Sequence, residues 1–251
     1  MVDFNKFNTF IFDLDGTIWI YPNVIESAKE VIEKLKEKGK QVLIVTNFTM
    51  LSRDEIADRL KQNGVDVNEN EIITASYVIG LNLEEDSSVY VIGDGVRREL
   101  ENLNIGFSEG DVTHLVVGHD KDFNYQKLVK CLQVLKRSAE FWVTSLGKVF
   151  LTSNGIYPGT GSIVRSIEYA SDRKPVLFGK PSDYMRLAVE INVTSPRKET
   201  IFIGDEIDDI KFARMCGYKS ALVLTGLSKE IDKKIKPNFV LKDLKEIVKD
   251  I

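Results

Sequence analysis

The chain is short of several residue types, and each shortage closes off a class of protein. Two cysteines, Cys131 and Cys216, occur in 251 residues. They lie far apart, with no Cys-x-x-Cys pair or His/Cys cluster around them, which argues against a disulfide framework or a zinc site and leaves both as core residues. The two histidines, His114 and His119, are separated and unaccompanied, so both read as structural. No apolar run approaches the ~20 residues that span a bilayer. Residues 1–6 carry neither a basic leader nor an apolar stretch, the features of a secretory signal. A soluble, cytoplasmic protein without a membrane partner is expected. The balance of 34 Lys and Arg against 38 Asp and Glu leaves a net charge of −4, with no long basic block. A nucleic-acid polymer is therefore not an expected partner, and any anionic ligand must be held by a few local groups. A homodimer remains open.

What is present is an ordinary globular balance, 43% hydrophobic and 29% charged, at a length that suits one large domain or two modest ones. Thr9-Phe10-Ile11-Phe12 is a short apolar, β-branched and aromatic run ending at Asp13, the pattern of a buried strand. Val24 to Lys38 has a helical period closed by Gly39. Gln41 to Thr46 is a second buried strand, and Ser52-Arg53-Asp54-Glu55 is a capping box that opens a helix to about Gln62. Strand, helix, strand, helix implies parallel βαβ units. The alternation returns at the far end: a strand at Thr200 to Ile203 before Gly204-Asp205, a helix around Ile207 to Met215, then a strand at Ser220 to Leu224. Between lie strand candidates at Val89 to Ile92, Leu115 to Val117, Phe141 to Thr144 and Lys148 to Leu151, with helices at about Asn124 to Lys136 and Ser162 to Ala170. The expected fold class is α/β, a doubly wound parallel-sheet core (residues 1–79 and 178–251) with an inserted α/β cap domain (residues 80–177).

In parallel α/β sheets ligands bind beyond the carboxyl ends of the strands. Four such places stand out: Asp13-Leu14-Asp15-Gly16-Thr17, Thr46-Asn47, Gly179-Lys180-Pro181 and Gly204-Asp205-Glu206-Ile207-Asp208-Asp209. Asp13 and Asp15 are two apart, which in extended chain sends both side chains the same way. One carboxylate can attack phosphorus to form an acyl phosphate; the second can protonate the leaving oxygen and later take a proton from water. At 4 Å and an effective dielectric of 20, the repulsion between two unit negative charges is about 4 kcal/mol, so cations are required. Asp205 could join Asp13 in holding Mg²⁺, a hard ion that prefers oxygen ligands, and Lys180 would bring a second positive charge. The Thr46 hydroxyl and backbone amides near Asn47 can donate to phosphoryl oxygens without adding charge.

This constellation resembles the haloacid dehalogenase superfamily, whose four motifs match Asp13-x-Asp15-Gly16-Thr17, Thr46, Lys180 and Gly204-Asp205-x-x-x-Asp209 in order. The middle of the chain, through Val116-Val117-Gly118-His119-Asp120, Phe123-Asn124-Tyr125, Pro158-Gly159-Thr160-Gly161-Ser162 and Gly179-Lys180-Pro181-Ser182, is similar to the 4-nitrophenylphosphatase type, which inserts a large α/β cap. The resemblance implies Asp13 as nucleophile and Asp15 as acid and base, its backbone carbonyl also touching Mg²⁺. It implies Asp205 as a metal ligand, Asp209 in or beside the metal shell, and Thr46, Asn47 and Lys180 on the phosphate. The expected substrate is a small phosphomonoester: a nucleoside monophosphate, phosphoglycolate, a sugar phosphate or 4-nitrophenyl phosphate. A phosphomutase on the same core and a phosphoaspartate signalling protein are the alternatives, although a signalling receiver is about half this length.

Other features read more plainly. Asp208 fits either the site or a helix start that favours acids. Gly93-Asp94-Gly95 lacks the third glycine of a dinucleotide loop and reads as a turn, and Gly159-Thr160-Gly161-Ser162 lacks the lysine of a P-loop and reads as a turn into a helix. Trp19 reads as packing, or as lining a substrate entrance. Relatives of this type carry Thr-Asn-x-Asp after the cap strand that ends here at Thr144; this chain has Ser145 and Gly147 at those positions, lacking an amide and a carboxylate.

Overall fold

A computed structural model describes residues 3–108, 110–227 and 236–249. In chain order the first half-core is β1 (Thr9–Phe12), the two-residue pair β2 (Trp19–Ile20) and β3 (Asn23–Val24), α1 (Glu26–Glu37), β4 (Gln41–Thr46), α2 (Arg53–Gln62), β5 (Ile72–Thr74) and α3 (Ala75–Asn82). A second lobe follows with β6 (Ser88–Ile92), α4 (Asp94–Asn102), β7 (Gly106–Phe107), β8 (His114–Val117), α5 (Tyr125–Lys136), β9 (Glu140–Val143), β10 (Val149–Thr152), β11 (Gly155–Pro158), α6 (Thr160–Ser171) and β12 (Val176–Leu177). The chain then returns through α7 (Asp183–Asn192), β13 (Thr200–Gly204), α8 (Ile207–Cys216), β14 (Lys219–Val223), β15 (Phe239–Leu241) and α9 (Lys245–Val248). Among the described residues, no helix is long and apolar enough to cross a membrane.

The strands make a six-stranded sheet in the order β15-β14-β13-β1-β4-β5 and a five-stranded sheet in the order β12-β9-β8-β6-β7, with every pairing within each of them parallel. Alternation explains the uninterrupted apolar runs. Phe10, Phe12, Ile44 and Ile203 face one buried cluster with α1, while Ile11, Leu43, Val45 and Phe202 face another with α3, α7 and α8. Both faces of the larger sheet are covered, so its strands need apolar residues at every position. The second cluster continues into the smaller sheet through Val89, Val116 and Trp142, and Trp142 meets Phe178 with ring centroids 4.4 Å apart. The opposite face of the smaller sheet packs Leu115, Val117 and Val143 against Cys131 of α5 and Ile167 of α6.

The lobes are also joined by polar contacts. Glu99 of α4, fully buried, accepts from the backbone amide of Arg53 at 2.7 Å and from its Nε at 2.7 Å, and so caps the start of α2 from the other lobe. The Arg53 guanidinium lies 3.5 Å over the Tyr77 ring. Gly93-Asp94-Gly95, expected as a turn, instead opens α4, with Gly93 at φ +108° as its cap. A Cβ on Gly95 would fall 2.5 Å from the Thr49 carbonyl and 2.6 Å from the Leu51 amide; its glycine lets the helix rest on the loop that follows Asn47. The strand expected at Lys148 to Leu151 forms at Val149–Thr152, in an antiparallel hairpin with β11 rather than in the smaller sheet.

Candidate active site

Register brings the first residues together. Phe12 is level with Ile203 on one side and Ile44 on the other, so Asp13, Asp205 and Thr46 emerge side by side from the carboxyl ends of β1, β13 and β4. The Asp13 amide donates to the Ile203 carbonyl at 2.8 Å. Burial pushes the Asp13 carboxyl up to about 7, with Lys180 opposing the rise and Asp209 adding to it. Asp15 lies beyond the strand, where its Oδ1 accepts the Trp19 indole N–H at 2.7 Å. Burial and the neighbouring Asp13 charge raise Asp15 to about 8 against that hydrogen bond. Trp19 is fully buried against Phe48, ring centroids 5.1 Å apart. It packs, and in doing so holds an acid. Gly16, at φ +73°, turns the chain where a Cβ would come within 2.5 Å of Asp205 Oδ2.

Lys180 precedes α7 and is 4% exposed. Its Nζ donates to Asp13 Oδ1 at 2.6 Å and Asp209 Oδ1 at 2.7 Å. Burial opposes its charge, but the two carboxylates prevail and hold it above the usual lysine range. The Asn47 side chain accepts the Lys180 amide at 2.7 Å and donates to the Lys180 carbonyl at 3.0 Å. The Asn47 side chain is therefore engaged with Lys180, and the contribution expected of Asn47 to phosphate falls to its backbone amide. Thr46 is buried; its Oγ1 accepts the Phe48 amide at 2.9 Å, so its own proton remains to be donated.

Asp209 is the third residue of α8, and its Oδ2 accepts the Glu206 amide at 3.0 Å, half of a capping box with Glu206. Gly204 leaves the room: a Cβ there would collide with Asp209. Asp205 Oδ2 accepts the Leu227 amide at 2.7 Å, whereas its Oδ1 is buried with no hydrogen-bond partner among the described residues. Burial, then Asp13 and Asp209, raises Asp205 well above the usual carboxylate range, and burial with the same two neighbours raises Glu206 to about 7. Asp208 is partly exposed and paired with Lys211 at 2.6 Å. Asp13, Asp205 and Asp209 offer oxygens within 4.8 Å of one another. Five acids thus surround one lysine, a surplus of negative charge that an oxygen-seeking cation would neutralise, and the partnerless Asp205 oxygen fits such an ion.

Sequence reasoning missed the loop at Thr225-Gly226-Leu227. Besides the Leu227 amide it supplies Gly226, where any Cβ would run into Asp205, and Thr225, whose hydroxyl donates to the Gly16 carbonyl. The available signal was a threonine and glycine directly after a parallel strand. His119, expected as a structural residue, also faces the site. It lines, with Leu146, Phe150, Leu151 and Leu177, the second-lobe wall of a cavity of about 340 Å³ whose floor is Asp13, Asp15, Thr46, Lys180, Asp205 and Glu206. Ser145 and Gly147 lie on this wall. His114 keeps its structural reading, packed on Trp142 at 4.4 Å.

A haloacid dehalogenase-like hydrolase model matches residues 10–106, and a second, HAD-hydrolase-like model matches residues 177–247. The chain is 32% identical to the chloroplastic phosphoglycolate phosphatase 1A of Arabidopsis thaliana, over 92% of this chain and 74% of that one. It is 30% identical to the 5'-nucleotidase YutF of Bacillus subtilis, over 94% and 96%. Among solved structures, the p-nitrophenyl phosphatase of Archaeoglobus fulgidus superposes with a TM-score of 0.89 at 30% identity, covering 97% of this chain and 99% of that one.

Proposed function

This chain belongs to the haloacid dehalogenase-like hydrolases and is a phosphatase of that family, and on that premise we propose that it hydrolyses small phosphomonoesters through a phosphorylated Asp13, with Mg²⁺ as cofactor. The observation that carries the reading is the Lys180 ammonium bridging Asp13 and Asp209 beside an Asp205 oxygen that has no partner among the described residues. Residues 80–177 then act as a cap over a core made of residues 1–79 and 178–251.

In this reading Asp13 attacks phosphorus with the oxygen that Lys180 does not hold. The bond to the leaving oxygen breaks as Asp15, protonated at neutral pH because burial raises it to about 8, donates its proton there. Asp15 then takes a proton from the water that attacks the phosphorylated Asp13, and phosphate leaves with the nucleophile restored. The Thr46 hydroxyl and the Asn47 backbone amide donate to phosphoryl oxygens, Lys180 balances their charge, and Asn47 steadies Lys180. Asp13, Asp205 and the Asp15 carbonyl would hold the cation, with Asp209 beside it because both of its oxygens already meet protein donors. A bound divalent cation supplies positive charge that lets a carboxylate approach a phosphate dianion. A cavity of about 340 Å³ is at the small end of ligand pockets, which run from about 300 to 1,000 Å³, and suits a small metabolite.

The test is phosphate release from a phosphomonoester panel with Mg²⁺, joined to mass spectrometry of acid-quenched protein. Wild type should turn over and carry one phosphoryl group, while folded Asp13→Asn should do neither. Near-normal turnover by Asp13→Asn refutes the mechanism.

A further inference from the structure

The cap wall of the cavity is largely apolar, and among the described residues that line it His119 is the only titratable side chain. Its position is set from several sides. The His119 amide donates to Thr49 Oγ1 at 3.1 Å, across the gap between the lobes. Its carbonyl lies where a Cβ on Gly93 would approach to 2.6 Å. Its ring stands edge-on to Phe150, with centroids 4.7 Å apart and planes at 76°. The adjacent Asp120 is occupied elsewhere, by Lys127 at 2.6 Å and by the Asp122 amide at 2.8 Å.

Among the described residues, neither nitrogen of this half-buried ring has a hydrogen-bond partner. Neither nitrogen is among the fully buried polar atoms that lack a partner, so both are open to solvent, and in the cavity the ring lines a ligand atom can take the place of water. Burial lowers the His119 pKa, with Asp120 opposing, so the neutral ring offers one N–H donor and one acceptor.

We propose that His119 is a specificity-determining residue that receives an oxygen acceptor of the leaving group, a carboxylate or a hydroxyl, while Leu146, Phe150 and Leu177 enclose a small carbon skeleton. The assignment rests on the phosphatase reading above. It restores one point of polar selection to a wall where Ser145 and Gly147 stand in place of an amide and a carboxylate.

Three esters that differ in one group test it: ethyl phosphate, 2-hydroxyethyl phosphate and 2-phosphoglycolate. Wild type should favour at least one oxygen-bearing ester over ethyl phosphate. His119→Phe, which keeps an aromatic ring against Phe150, should lower kcat/KM for that ester by about 5- to 30-fold, mainly through KM, and leave ethyl phosphate unaffected. His119→Gln should recover part of the loss. The larger loss identifies carboxylate or hydroxyl as the group received. Calorimetry in an Asp13→Asn background, comparing 2-phosphoglycolate and 2-hydroxyethyl phosphate with inorganic phosphate, reads the same contact without turnover. If wild type releases no phosphate while His119→Phe still weakens ester binding relative to phosphate, the phosphatase reading fails and the subsite stands. An equal effect on all three esters, or none, overturns the proposal.

Discussion

Asn47 grips Lys180 by its backbone, meeting the lysine amide at 2.7 Å and its carbonyl at 3.0 Å, and so leaves the ammonium to reach Asp13 and Asp209. The contact spans 133 residues of sequence and fixes where the lysine side chain starts. Asn47→Ala should therefore lower kcat/KM by about 10- to 100-fold through misplacement of Lys180, since small displacements at a reacting centre cost that much. Steady-state kinetics on a folded variant checks it; unchanged kinetics would mean that Ser182, whose hydroxyl caps α7 by accepting the Met185 amide at 3.1 Å, suffices to place the lysine.

Asp15 supports a prediction on pH. Its carboxyl is at about 8 in the fold against an ordinary value near 3.8, so the folded state binds a proton that the unfolded state releases. Its contribution to stability is complete below about 4 and is lost as pH rises toward about 8. In chelator, Asp15→Asn should match wild type in Tm near pH 4 and exceed it near pH 8. In single-turnover measurements the same variant should slow phosphorylation of Asp13 by alkyl esters about 100-fold while sparing that by 4-nitrophenyl phosphate, whose leaving group needs little protonation, and hydrolysis of the phosphorylated Asp13 should slow with every ester. Parallel Tm curves would show that Asp15 titrates normally.

The loop after β14 predicts a metal phenotype without chemistry at the metal. Gly226→Ala places a methyl group against Asp205 and should weaken Mg²⁺ binding by about 10-fold or more, as disturbing the residues that orient a metal ligand does elsewhere. Calorimetric titration with Mg²⁺ reads this directly, and Asp205→Ala sets the limit. Wild-type affinity in Gly226→Ala would mean that the loop gives way.

On the cap wall, the double variant Ser145→Asn with Gly147→Asp restores two polar groups. The tight contact of a Cβ at Gly147 is with Ser145 Oγ at 3.2 Å, an atom that the double variant itself replaces. kcat/KM for hydroxyl-rich leaving groups should rise relative to ethyl phosphate by about 10-fold, with 4-nitrophenyl phosphate spared. An unchanged ranking in a folded protein would make this turn scaffolding, consistent with the Gly161 amide bonding the Gly147 carbonyl at 2.8 Å.

The sequence by itself determined the longer elements, strands β1, β4, β6, β8, β9, β13 and β14 and helices α1, α2, α5, α6 and α8, because two-residue and 3.6-residue periods are local properties; short strands such as β5, β12 and β15, and helices α3, α4 and α7, carried no such signal. It also placed Asp13, Thr46 and Asp205 at the carboxyl ends of β1, β4 and β13, since a polar residue after a buried apolar run marks where a strand leaves the core. Local glycines misled it where their use was distant: Gly95 exists for the backbone of Thr49 and Leu51, and the sequence around it could signal only a turn. Tertiary structure alone decided that Trp19 would hold Asp15, that Asn47 would hold Lys180, that Leu227 would take one oxygen of Asp205, and that His119 would face the cavity. Each of these depends on which distant segments meet once both faces of the sheets are covered, and a meeting of that kind leaves no period in the chain.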